Sequence, residues 1–182
     1  GGAGAGEGNI IAGNGRNGIK LINGTFSNLI THNSIFSNHQ SVSGLGIDLD
    51  DANNAPDHVD NTPTQDPNIP PATGTVYANY GQNAPVINGV TYVGGVPKLD
   101  WTIQTASSTP LTLEIFASAA PGSQNNGEGE TWIATITATT DGSGVAGSTS
   151  TTLPATAANK YVTMTATSTN TIDPPGPVNS GP

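Results

Sequence analysis

The chain contains no cysteine, which excludes disulfide staples, thiolate nucleophiles and cysteine-based metal centres. Charge is scarce too. Only 9% of residues are charged, against about 25% in an ordinary globular domain. The shortage falls hardest on bases: Arg16, Lys20, Lys98 and Lys160 are the only 4 among 182 residues, and 13 acids leave a net charge of −9. Such a chain lacks the basic footprint that displaces counterions from nucleic acid. It also lacks the polybasic segment that anionic lipid attracts. No apolar run approaches the ~20 residues of a membrane-spanning helix. Neither nucleic acid nor a membrane span is expected.

Helical periodicity is nearly missing as well. Apolar residues come in runs of two to five or in strict alternation, β-branched types dominate, and Gly/Pro/Asn clusters separate them. Those are strand and turn signals, so the fold class is all-β.

The first fifty residues carry an internal repeat. Asn9-Ile10-Ile11-Ala12-Gly13-Asn14 aligns with Asn28-Leu29-Ile30-Thr31-His32-Asn33, a shift of 19, and Gly18-Ile19-Lys20-Leu21 aligns with Gly46-Ile47-Asp48-Leu49, a shift of 28. The unequal shifts place an insertion around residues 39–43. Repeats of this length, made of short strands and Asn/Gly corners, predict a solenoid of stacked coils. Asparagine suits the corners because it tolerates the left-handed conformation better than other non-glycine residues. Its amide can also bond the equivalent position of the next coil, as stacked amides do in cross-β ladders. Ile11, Ile19, Leu21, Ile30, Ile35 and Phe36 are the expected filling.

Residues 51–78 are rich in Pro, Asp and Asn and read as a loop or linker. Beyond them, residues 85–93 predict a hairpin of two strands about a type I′ turn at Asn88-Gly89. Strands follow over 98–105, 111–119, 131–140, 145–153 and 161–169. Six or seven short strands in about 100 residues predict an immunoglobulin-like sandwich. Its expected core is Trp101, Ile103, Leu113, Ile115, Trp132, Ile136, Val162 and Met164.

Chemistry concentrates in an acidic stretch. Asp48, Asp50, Asp51, Asp57, Asp60 and Asp66 have no Lys or Arg among them. With Ile47 and Leu49 inward, Asp48 and Asp50 share the outer strand face roughly 7 Å apart. Unneutralised carboxylates this close call for a hard cation, and Ca2+ takes six to eight oxygen ligands. The expected ligands are Asp48, Asp50, Asp51, Asp57 and Asp60, with Asn53, Asn54 and Asn61 as neutral oxygens. A solvated acidic loop is the plainer alternative. His32 and His39 suit polar corners, and His58 suits a loop beside the aspartates. Glu128 and Glu130 in "NNGEGE" read as a loop tip that could add cation ligands. Asn23-Gly24-Thr25 is a glycosylation sequon. "GGAGAGEG" lacks the Gly-Lys-Ser/Thr ending of a phosphate loop.

"GGAGAGEGNIIAGN", "NGIKLINGTFSNLITHNSIFSN" and "GLGIDLDD" together resemble the right-handed parallel β-helix repeats of large secreted bacterial surface proteins. "GEGETWIATITATTDGSGVAG" resembles the β-sandwich that follows those repeats. The resemblance implies a short right-handed parallel β-helix over 1–50, an acidic connection over 51–78 and an immunoglobulin-like antiparallel sandwich over 79–182. It implies a non-catalytic, extracellular structural or adhesion role, with self-assembly into filaments as one form of it. The lead-in "GGAGAGEG" reads as part of a longer polypeptide or as a processed end. The open Gly1–Asn14 edge should therefore be covered by upstream coils or by neighbouring copies. Two other readings stay open. One is a polysaccharide-degrading enzyme with its active site on upstream coils, although the Gly-His-Gly and Arg-x-Lys elements of polygalacturonases are absent; within the chain, Asp50-Asp51 is the pair to test. The other is a module binding surface glycans through Tyr77, Tyr80 and Tyr92.

Overall fold

A computed structural model describes residues 1–2, 4, 6–22, 28–38, 44–49, 83–121 and 127–168. The described elements are all β apart from one 3-10 turn, Ala155–Ala157. Four three-residue strands come first: β1 Ile10–Ala12, β2 Ile19–Leu21, β3 Ser34–Phe36 and β4 Ile47–Leu49. Six longer ones follow: β5 Val86–Val93, β6 Val96–Gln104, β7 Pro110–Ser118, β8 Thr131–Thr139, β9 Val145–Thr152 and β10 Tyr161–Ser168.

The short strands pair in parallel, β1 on β3 and β2 on β4. Ile19 faces Ile47, which is the expected shift of 28. The other expected register is wrong. Ile10 faces Ser34 and Ala12 faces Phe36, a shift of 24 rather than 19. "NIIAGN" therefore stacks on Asn33-Ser34-Ile35-Phe36-Ser37-Asn38. The sequence allows both alignments because asparagine recurs at 28, 33 and 38. The corners also differ from expectation. Beyond Gly6 in the lead-in (φ 82°), the left-handed positions are Gly13 (φ 73°), Ser37 (φ 52°) and His32 (φ 51°), and no asparagine of the described coils holds one. Gly13 and Ser37 are equivalent under the 24-residue shift.

The longer strands form two three-stranded antiparallel sheets, β5-β6-β9 and β10-β7-β8, in a sandwich-like arrangement. Strand alternation drives this. Along β6, Leu99, Trp101 and Ile103 point inward, and along β7 Leu111, Leu113 and Ile115 meet them. Met164, Ala146, Leu153 and Ala157 complete the core, with Ile136 and Val162 packed at its margin. The buried indole stays satisfied, since Trp101 Nε1 donates to Thr151 Oγ1 at 2.9 Å.

Two expectations fail on single bulges. Asn88-Gly89 is no turn: β5 runs through it, with a bulge between Ile87 and Gly89 where Asn88 Nδ2 donates to Asp100 Oδ1 at 2.8 Å. The turn is Gly94-Gly95, with φ 59° and 81°, the paired positive values that a type I′ turn requires. Trp132 is not core. Ile115 pairs with Ala134 but Phe116 pairs with Trp132, so Ile133 is a bulge residue that flips Trp132 to the outer face. There it is 43% exposed.

The turn before β9 is held by one carboxylate. Asp141 Oδ1 accepts from Ser143 N–H at 2.8 Å and Val145 N–H at 3.0 Å. The Val145 bond, then the Ser143 bond, holds the Asp141 carboxyl below its ordinary value. A depressed folded-state value stabilises the fold above the unfolded-state value of about 4, and the contribution disappears as pH falls through the folded value. Asp141→Ala should therefore speed amide exchange at Ser143 and Val145 at neutral pH. It should make little difference in strong acid. Hydrogen exchange at two pH values checks this.

Candidate functional site

The most elaborate polar arrangement lies where the coils meet the sandwich. Asn9 donates both its backbone N–H (3.0 Å) and its Nδ2 (2.9 Å) to Asn33 Oδ1. Asn14 does the same to Asn38 Oδ1, at 3.2 and 2.8 Å. The expected amide ladder is thus present, in the 24-residue register. The interior leaves no room beside it: a Cβ on Gly18 would stand 2.6 Å from the Gly46 carbonyl oxygen and 2.8 Å from Ile35 Cγ2.

The ladder continues into the sandwich. Asn38 donates its N–H to both carboxylate oxygens of Glu128, each at 3.2 Å, and its Nδ2 to Oε1 at 2.7 Å. This is the bonding of an asparagine rung with a carboxylate in place of the next Oδ1. The backbone follows suit, since Ile35 N–H donates to Gly129 C=O at 2.7 Å and Ser34 Oγ to Glu130 C=O at 2.5 Å. Two glycines let the segment lie close against the sandwich's own strands. A Cβ at Gly127 would collide with Thr163 Cγ2, and one at Gly129 would stand 2.7 Å from the Phe116 ring.

A second carboxylate grips the same coil. Glu114, on the outer face of β7, accepts from Thr31 Oγ1 at 2.6 Å and from His32 N–H at 3.3 Å. His32 Nδ1 lies 2.9 Å from Glu114 Oε1, and its ring packs against Trp132 with centroids 4.9 Å apart. Glu114, Phe116 and Ser118 are therefore buried although they point away from the sandwich core. The coil covers Glu114, and residues 128–130 lie over Phe116 and Ser118, whose Oγ donates to Glu128 C=O at 2.9 Å.

These acids are turned inward. Glu128 and Glu114 are 5% and 3% exposed and are bonded to the chain's own donors, so neither is placed for acid–base work on a substrate. Glu128 and Glu130, read from sequence as a loop tip that could add cation ligands, both accept bonds from the chain itself, Glu130 Oε2 from Ala119 N–H at 3.0 Å. Sequence reading missed the part played by Glu128. The signal available was an acid between two glycines in a chain poor in counter-charges.

Asp48 also departs from expectation. It is buried, because β2 and the residues before it supply its partners: Asn17 Nδ2 donates to Oδ2 at 2.5 Å and Lys20 Nζ lies 3.9 Å away. Asn17 Oδ1 in turn accepts from Leu45 N–H at 2.7 Å. Asp48 is thus partly neutralised by a base that sequence proximity did not show. Asp50, Asp51, Asp57, Asp60 and Asp66 lie outside the described residues, as do Asn53, Asn54, Asn61, His39, His58, Tyr77, Tyr80 and the 23–25 sequon. Among the described residues no three His, Cys, Asp or Glu side chains gather as metal ligands. No described helix is long and apolar enough to cross a membrane. Tyr92 is exposed, and its hydroxyl accepts from Asn159 N–H at 3.2 Å. Comparison with protein-family models and with curated proteins gives no match.

Proposed function

We propose that the chain is a non-catalytic structural segment of an extracellular surface or adhesion protein. In this reading its coils are turns of a right-handed parallel β-helix, and an immunoglobulin-like sandwich ends the stack. The observation that supports it most is Glu128 standing where a further ladder asparagine would stand. A carboxylate accepts the same two bonds as Oδ1 but has no amide N–H to pass on. The ladder therefore ends at Glu128, and the sandwich serves as an end cap for an otherwise uncovered coil. Supplying the cap from a separate, well-packed domain suits a load-carrying stalk. The buried acids Glu114 and Glu128 serve the joint.

Incubation of the purified protein with pectin and a panel of surface glycans tests this. No product release is expected. Release that disappears in Asp50→Asn would overturn the reading in favour of a depolymerase.

A further inference from the structure

The first coil presents uncovered the same side chains that the second coil buries. Asn9 and Asn14 are exposed, whereas their counterparts Asn33 and Asn38 are 5% and 3% exposed. Ile11 is half-buried where Ile35 is fully buried. The ladder also has a direction. Asn9 and Asn14 donate toward the sandwich to Asn33 Oδ1 and Asn38 Oδ1, and Asn38 donates on to Glu128, while its Nδ2 also reaches back to Ile11 C=O at 3.1 Å. At the open end, Asn9 Oδ1 and Asn14 Oδ1 accept no hydrogen bond among the described residues. The backbone leaves a donor at the same end. Ser34 N–H donates to Asn9 C=O at 2.8 Å, and the residue equivalent to Ser34 on the first coil is Ile10. Its N–H is offered to the far side of β1, where no described strand pairs.

We propose that this face is a receptor for one further rung: a strand parallel to β1 that carries asparagine at both ends, in the pattern N-x-I-x-x-N. The proposal deepens the structural reading above and rests on it. The occupant's chemistry follows from the ladder's polarity. Two side-chain acceptors five positions apart need a partner that brings a backbone N–H and an amide N–H to each. A second copy meeting this face end to end would set Oδ1 against Oδ1, leaving acceptors unpaired. Aspartate at the two positions would add a carboxylate to each acceptor. Only a rung running in the same direction supplies donors at both positions together with a backbone in register, and β1 on β3 is already that interface.

The test adds the rung to the full chain by inserting a second copy of residues 9–32 before Asn9, which preserves the 24-residue register. Amide exchange is then followed at Ile10 and Ala12 of the original first coil. At least about tenfold slower exchange is expected than in the parent, with sandwich amides such as Leu113 unchanged as a control of folding. The same extension carrying Asn→Asp at both ladder positions of the added rung should lose most of that protection. Where the longer chain fails to fold, the free peptide of residues 28–38 is titrated into the parent, and shifts at the Ile10 and Ala12 resonances are expected. Unchanged exchange at Ile10 and Ala12 in a folded extension, or no shifts with the peptide, would overturn the receptor. Equal protection by the Asp-bearing rung would overturn its polarity. Neither readout depends on glycan chemistry, so failure here and failure of the structural reading are separately visible.

Discussion

Glu128→Ala is expected to release the coils from an intact sandwich. The substitution removes the acceptor of three bonds from Asn38; it leaves the buried Asn38 N–H without a partner and its Nδ2 with only the 3.1 Å bond to Ile11 C=O. Stranding buried donors costs about 1–3 kcal/mol, and a lost charged acceptor lies toward the upper end. A cost of about 2–4 kcal/mol on the opening of the coil is expected. The coil has little with which to resist it. Ile35 and Leu45 are its buried apolar residues among those described, whereas ten residues make up the sandwich core. Limited proteolysis should therefore cut within residues 1–49 much faster in the variant and leave a stable fragment containing 83–168. Glu128→Gln, which keeps an acceptor, should fall between the two. Equal cleavage of wild type and Glu128→Ala would remove Glu128 from its role.

Leu113→Ala should act on the whole molecule. Leu113 is fully buried on β7, the middle strand of its sheet, and pairs with Ile136 on one side and Ala166 on the other. Truncating such a leucine costs about 2–5 kcal/mol, set by how far the surroundings collapse into the cavity. The same strand presents Glu114 to the coil and Ser118 to the Glu128 segment on which the coil ends. Loss of β7 therefore undoes core and joint together. Urea titration followed at a sandwich amide and at a coil amide should show one shared, lowered midpoint, in contrast to the separation expected for Glu128→Ala. A loss below about 1 kcal/mol would mean that β7 is not the element on which both parts depend.

Strand positions in the second half were legible because alternation in a half-buried strand is a local property. The expected segments at 98–105, 111–119 and 161–169 lie within a residue or two of β6, β7 and β10. What alternation could not report was a change of phase. One bulge residue at Ile133 moved Trp132 from core to surface, and another at Asn88 made a turn signal part of a strand. In the coils, the ladder and the 28-residue register were legible from repeated asparagines and glycines. The 24-residue register was not, since asparagines at 28, 33 and 38 fit two frames and only backbone pairing selects one. The αL explanation of the asparagines failed for a related reason: Gly13, Ser37 and His32 take those corners, and the asparagines are kept for their amides. Asp48 and Glu128 were hardest to place. Their partners, Lys20 and Asn38, are brought near only by the fold, the second across 90 positions of chain.

The most direct measurement on the central claim is native-state exchange of the Asn38 backbone amide. That N–H should be protected in the wild type, retain most of its protection in Glu128→Gln, and exchange about 30- to 1000-fold faster in Glu128→Ala, which is the 2–4 kcal/mol cost expressed as a rate. An Asn38 amide that exchanges equally fast in all three proteins would contradict the account, because the ladder would then not end on Glu128.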